Sequence, residues 1–270
     1  MLEIRNLHVS VGETPVLRGI DLVIQSGETF ILFGPNGSGK TTLLMAIMGF
    51  RDYNVTEGTI FFKGQDITHA PMHERARLGI GMSFQRPPTI RGLPMELMTR
   101  MCARDREVDV QALAKRVHFD AFLGRDVNAG FSGGEIKRSE LLQLMAQRPG
   151  LVLFDEPESG VDLENMALVG STVRYLLDGM PDACQATLRE RKKLRKTSGL
   201  IITHTGHILE YVNADRAQVM YNGRLACEAR PREILDHVAK YGYEECLRCF
   251  AGNMAGKILE APLVKNGLQP

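Results

Sequence analysis

A chain of 270 residues, with 44% hydrophobic and 24% charged residues, has the composition of an ordinary globular protein able to bury a sizeable core. A formal net charge of +1 argues against nucleic-acid binding as the main task. No apolar run approaches the roughly 18 residues that a membrane span needs, so direct membrane insertion is not expected.

The amino end, Met1-Leu2-Glu3-Ile4-Arg5, lacks the features of a signal peptide. The five cysteines read as free thiols of a reducing, cytoplasmic setting. Residues 2–11 alternate, with Leu2, Ile4, Leu7 and Val9 apolar, and predict a strand. A second strand is expected from Val16 to Ile24, and a third over Phe30-Ile31-Leu32-Phe33.

The third strand enters the loop Gly34-Pro35-Asn36-Gly37-Ser38-Gly39-Lys40-Thr41-Thr42, and an apolar helical run, Leu43 to Met48, follows. Strand, glycine loop and helix in that order are the context of a phosphate-binding loop. Glycines let successive N–H groups point at one oxyanion, and a helix starting near Lys40 adds its own N–H groups and positive dipole end. Lys40 is placed to reach the β- and γ-phosphates, and the Thr41 hydroxyl to ligate Mg²⁺.

Further on, Glu57 to Gly64 reads as a strand and turn, Arg75 to Leu78 as a short helix, and Gly81 to Gln85 as a strand ending in Arg86-Pro87-Pro88. Helices are expected over Leu93–Arg106, Val110–His118 and Gly134–Gln147, which makes 88–147 a mainly helical subdomain. Leu151-Val152-Leu153-Phe154 returns to buried strand character, followed by a helix over Leu163–Leu177, a strand over Leu200–Thr203 and a helix over Gly206–Tyr211. Asn222-Gly223 between two apolar runs signals a hairpin, and Pro231 to Tyr241 a helix with proline in its first turn. The domain reading is an α/β core over 1–87 and 148–244, the helical insert between them, and a tail over 245–270. Strands alternating with helices imply a mostly parallel sheet.

Two more stretches carry chemistry. Leu151 to Phe154 delivers Asp155 and Glu156 at its carboxyl end, the edge where open α/β sheets bind ligands. Asp155 suits Mg²⁺, directly or through water, and Glu156 suits the role of general base toward an attacking water. Phe131-Ser132-Gly133-Gly134-Glu135 reads as a second anion-binding helix start, with exposed N–H groups, a hydroxyl and no side-chain bulk. Ser132 alone would satisfy a plain N-cap, but a doubled glycine is costly unless backbone approaches a ligand.

Gly34 to Thr42, Gln85, Ser132-Gly133-Gly134-Glu135, Asp155-Glu156, Ser159-Gly160-Val161-Asp162 and His204 together resemble, in order, the motif set of ABC-type ATPases. The resemblance covers about residues 1–235. It implies an ABC ATPase fold: a RecA-like, mostly parallel sheet with an antiparallel β edge and the inserted helical subdomain. It implies ATP and Mg²⁺ as cofactors, with Thr41, Gln85 and Asp155 near the metal. Two chains would bind head to tail, so that each ATP lies between Lys40 of one and Ser132, Gly133, Gly134 and Glu135 of the other. Gln85 would relay state to the helical subdomain, His204 would contact the γ-phosphate, and Asp162 would sit in the loop crossing the dimer.

Within that family, Met1–Val11, Asp52–Ile60, Phe131–Glu140, Ser159–Asp162 and Lys240–Glu244 resemble the SufC-type ATPases of the SUF iron–sulfur cluster assembly system. That likeness implies a SufB-like scaffold as partner, docked by the helical subdomain and the groove near Gln85. The alternative is the nucleotide-binding subunit of a membrane ABC transporter. Three features depart from the pattern. Val11 stands where many members stack an aromatic ring on adenine, Pro157-Glu158 occupies a variable pair, and 178–199 is a basic insertion with Arg189, Arg191, Lys192, Lys193, Arg195 and Lys196. That charge run reads as a solvated helix face or a docking patch for an acidic partner. Cys246-Leu247-Arg248-Cys249 reads as two free thiols or, with no second pair, a weak metal signal.

Overall fold

The computed structural model describes residues 1–179 and 195–253, the last nine by backbone alone. Arg189, Arg191, Lys192, Lys193 and the side chains of Cys246 and Cys249 lie outside the described residues.

Two sheets form the frame. β1 (Leu2–Val11), β2 (Thr14–Ile24), β4 (Tyr53–Phe62) and β5 (Gln65–Asp66) make an antiparallel sheet in the order β2-β1-β4-β5. The alternation that marks β1 as a strand puts Leu2, Ile4, Leu7 and Val9 on the buried side. The second sheet holds six strands: β3 (Thr29–Phe33), β6 (Ile80–Ser83), β9 (Leu151–Asp155), β10 (Ser198–Ile202), β11 (Arg216–Tyr221) and β12 (Arg224–Ala229). Their order is β12-β11-β3-β10-β9-β6, parallel throughout except for β12, which turns back at the Asn222-Gly223 hairpin. β3, β9 and β10 are buried on both faces, which is why they read as unbroken apolar runs.

One face of the parallel sheet, with Phe30, Leu32, Leu153 and Ile202, packs on α1 (Lys40–Met48) and on the antiparallel sheet, with Ile4, Ile20 and Phe62 in the same cluster. The other face, with Ile31, Phe33, Val152 and Phe154, shares a core with α3 (Met95–Ala103), α4 (Val110–Arg116), α5 (Gly133–Gln147) and α6 (Leu163–Asp178). Met95, Val110, Phe119 and Leu141 thus stand in one continuous apolar cluster with the sheet. α2 (Met72–Leu78) precedes β6, and α7 (Pro231–Asn253) closes the described chain.

Four expectations need correction. The helix foreseen from Leu93 begins only at Met95, because Ile90–Pro94 forms a strand, β7, against β8 (Asp126–Val127). β4 starts at Tyr53, well before Glu57, since its first half pairs with β1 through Val9↔Val55 and Val11↔Tyr53. Gly206–Tyr211 contains only a 3₁₀ turn, His207–Glu210. The helix foreseen to end at Tyr241 resumes after a break at Gly242, where φ is 76° and ψ is 172°.

Candidate functional site

Parallel register brings four loops to one edge. Leu32 aligns with Ile202, Ile202 with Asp155, and Phe154 with Ser83. The chain therefore leaves β3 into Gly34–Gly39, β9 into Glu156, β10 into Thr203-His204 and β6 into Phe84-Gln85, all at the carboxyl end of the sheet.

The glycine loop is forced by its surroundings. Gly34 has φ of 149°, and a Cβ there would stand 2.2 Å from the Met220 carbonyl oxygen. Gly39, with φ of 106°, turns the chain into α1. Lys40 is buried at 5% exposure and its Nζ donates to the carbonyls of Gly34 at 2.8 Å and Pro35 at 2.9 Å. Burial pulls its ammonium down to about 8 from 10.5, against the opposing pull of Glu156 and Asp155. Pro35, Asn36, Gly37 and Ser38 also line a cavity of about 310 Å³, shared with Tyr221, Asn222, Tyr243 and Glu244.

Thr41 Oγ1 donates to Asp155 Oδ1 at 3.3 Å, while Asp155 Oδ2 is buried with no partner among the described residues. Burial, first of all, raises the Asp155 carboxyl above its ordinary range. An orphaned carboxylate oxygen beside a hydroxyl is the oxygen-only donor set that suits Mg²⁺. Thr41, Asp155 and the Gln85 amide oxygen are the groups that could hold it.

Glu156 sits at the centre. Gln85 Nε2 donates to its Oε2 at 2.7 Å, and His204 Nε2 stands 2.7 Å from its Oε1. Burial and the nearby Lys40 keep the imidazole of His204 below its ordinary pKa, in spite of Glu156. The His204–Glu156 contact at neutral pH is thus a hydrogen bond from a neutral ring, with Nε2 carrying the proton because its partner can only accept. Glu156 itself has φ of 50°, a left-handed backbone that a non-glycine residue holds only under constraint, here with its N–H on the Ile202 carbonyl at 3.1 Å. Sequence reasoning picks out Gln85, Asp155, Glu156, His204, Lys40 and Thr41 separately; the fold brings all six together.

The Ser132 helix start lies in a different setting. Ser132 Oγ accepts from the Glu135 N–H at 3.4 Å, and Glu135 Oε2 accepts from the Ser132 N–H at 2.8 Å, a complete capping box. Gly133 has a reason inside the chain, since a Cβ there would lie 2.1 Å from the Gly160 carbonyl oxygen. Gly134 is buried, with the Asn165 side chain 3.1 Å from where its Cβ would stand. Asp162, exposed, caps α6 by accepting from the Asn165 N–H at 2.8 Å.

Two features escape the sequence. Lys137 and Glu140, both buried, grip the backbone just before Gln85. Lys137 Nζ donates to the Phe84 carbonyl at 2.5 Å, while Glu140 accepts from the Phe84 N–H at 2.7 Å and the Ser83 hydroxyl at 2.9 Å. The helix that starts at Ser132 is thereby fastened to the strand that carries Gln85. The other feature is the setting of Glu158, a half-buried carboxylate that accepts from the hydroxyls of Thr203 and Thr205. Lys137 at i and Glu140 at i+3 of one helix make a legible pair, but nothing in the sequence marks its burial.

A family model described as ABC transporter matches residues 17–159. The chain is 37% identical over 242 residues to the Probable ATP-dependent transporter SufC of Escherichia coli K12, covering 83% of this chain and 90% of that one. The chain belongs to the ABC family of ATPases. A second relative, the Probable ATP-dependent transporter ycf16 of Cyanophora paradoxa, is 35% identical over 240 residues, covering 83% of this chain and 86% of its own length. Among solved structures, a nucleotide-free ATP-binding cassette from an ABC transporter superposes with a TM-score of 0.70 at 23% identity over 92% of this chain and 98% of its own. A bacterial Atm1-family ABC exporter with ATP bound gives a TM-score of 0.70 at 22% identity, covering 92% of this chain and 41% of that one. These two establish the ABC ATPase fold. The chain is an ATP-binding subunit and an ATPase of SufC-like sequence, and no described helix is long and apolar enough to cross a membrane.

Proposed function

We propose that this ATPase hydrolyses ATP to drive a conformational change in an iron–sulfur cluster assembly scaffold of the SufB type. The observation that carries the catalytic part is Glu156, with one oxygen on Gln85 and the other on His204, beside Lys40 and the Thr41–Asp155 pair.

Lys40 and the N–H groups of Gly37 to Thr42 bind the β- and γ-phosphates. Thr41, Gln85 and Asp155 would hold Mg²⁺, which when bound would supply positive charge against the phosphates. Glu156 takes the proton of the attacking water, and His204, neutral, donates a hydrogen bond from Nε2 to Glu156 and fixes it. Ser132, Gly133, Gly134 and Glu135 of a second copy close over the same nucleotide, with Asp162 in the loop at the seam. We read 1–87 and 148–244 as the nucleotide-binding core and 88–147 as the part that moves against it. The clamp of Lys137 and Glu140 on Phe84 supports that reading, because nucleotide contacts at Gln85 then pull directly on α5.

The SufC-type stretches and the identity to the E. coli SufC chain support the scaffold partner. On α3 of the helical subdomain, Leu97 and Met101 are 49% and 59% exposed one turn apart, apolar side chains available to such a partner. The transporter reading draws on the names of the relatives, each an ATP-dependent transporter. Purification from native extract separates the two. Co-elution of a soluble SufB-type scaffold supports cluster assembly in the cytoplasm; an integral membrane protein without that scaffold favours transport.

A further inference from the structure

Glu158 stands two residues beyond the central Glu156, yet it faces a different way. Its Oε1 accepts from the hydroxyl of Thr203 and, at 3.2 Å, from that of Thr205. These are the two neighbours of His204. Thr203 Oγ1 in turn accepts from the Gly206 N–H at 2.8 Å, which fixes the turn that follows His204. One carboxylate oxygen therefore holds the chain on both sides of the histidine that touches Glu156.

The arrangement is costly. Glu158 Oε2 is buried with no partner among the described residues, and burial raises the carboxyl above its ordinary range. The backbone of Glu158 adds a second connection. Its carbonyl accepts from the Val161 N–H at 3.3 Å, and the Ser159 N–H donates to the Glu156 carbonyl at 3.0 Å, so Ser159–Asp162 is one tight turn anchored on 156 and 158. At its tip, the Gly160 carbonyl faces the space that a Cβ on Gly133 would fill.

We propose that Glu158 is a positioning residue: by gripping Thr203 and Thr205 it sets the His204–Glu156 contact, and it passes any displacement of the Ser159–Asp162 turn to that contact. This rests on the reading of Glu156 as general base and of Asp162 at the seam between copies. Docking of a second copy against Ser159–Asp162 then adjusts the catalytic hydrogen bond in the same chain, which ties water activation to closure of the pair.

The test is steady-state Mg-ATP turnover by the purified full chain, with Glu156→Gln as the reference. Glu158→Ala is expected to lower kcat by about ten- to a hundredfold while KM for ATP changes by less than about threefold, the mark of a misplaced catalytic group with binding intact. Glu158→Gln, whose amide oxygen still accepts both hydroxyls, is expected to keep most of the parent kcat. Thr205→Val removes an exposed hydroxyl, so it serves even if Glu158→Ala fails to fold; its kcat should drop severalfold at unchanged KM. The proposal is overturned if Glu158→Ala turns over within about twofold of the parent, if Glu158→Gln loses as much as Glu158→Ala, or if Thr205→Val is fully active. Substantial turnover by Glu156→Gln would instead sink the underlying base assignment, whatever Glu158 does.

Discussion

At the carboxyl edge of the parallel sheet, each reactive side chain meets another group of the same edge: Lys40 its own loop carbonyls, Thr41 Asp155, Gln85 and His204 Glu156. At the start of α5, the Ser132 and Glu135 side chains bond each other's backbone among the described residues, and Gly133 abuts Gly160. Both are helix starts built from serine and glycine. The first gathers chemistry from four strands, whereas the second is a capped helix presented at the surface. Residue type alone does not separate the two helix starts; the strands that converge on the first do. The difference is what the proposed shared site would require, with one half assembled within the chain and the other half supplied by a second copy.

Removing the base breaks the assembled half most severely. Glu156→Gln should lower kcat by about 10²–10⁴ while ATP still binds, as read by turnover assay beside calorimetry. The clamp comes next. Lys137→Met leaves Glu140 buried beside Phe84 without its cation and should cost about 3 kcal/mol of stability in denaturant unfolding. Lys40→Ala removes the phosphate's charged partner and should weaken ATP binding by about 2 kcal/mol in calorimetry, with the unfolding midpoint little changed. The smallest effect belongs to the docking half. Ser132→Ala should lose a helix cap, about 1 kcal/mol, and leave ATP affinity of the single chain untouched. A large loss of single-chain affinity there would erase the contrast between these helix starts.

Much of the molecule is legible in sequence because it is local. The phosphate-binding loop, the Asp155-Glu156 strand end and the Asn222-Gly223 hairpin are each set by a few adjacent residues, and β3, β9 and β10 announce their double burial by composition. Pairing between distant segments is not legible. β7 and β8 are short and flanked by prolines or turns, so nothing in either segment marks the other. The first half of β4, Tyr53 to Thr56, is polar at alternate positions and becomes a strand only because β1 offers an edge. Burial of Lys137 and Glu140, and of one carboxylate oxygen of Glu158, runs against hydropathy, and tertiary contacts alone reveal it. The break at Gly242 explains why the sequence pattern stops near Tyr241, since a glycine at positive φ interrupts the helical period without ending the element.

The most direct measurement is sedimentation of the Glu156→Gln chain with saturating Mg-ATP, beside the same chain carrying Ser132→Arg. A site shared between two copies predicts that the first doubles its 30.0 kDa mass on adding nucleotide, and that the second binds ATP yet stays at the mass of one chain. A Glu156→Gln chain that is saturated with ATP and remains single would contradict the account.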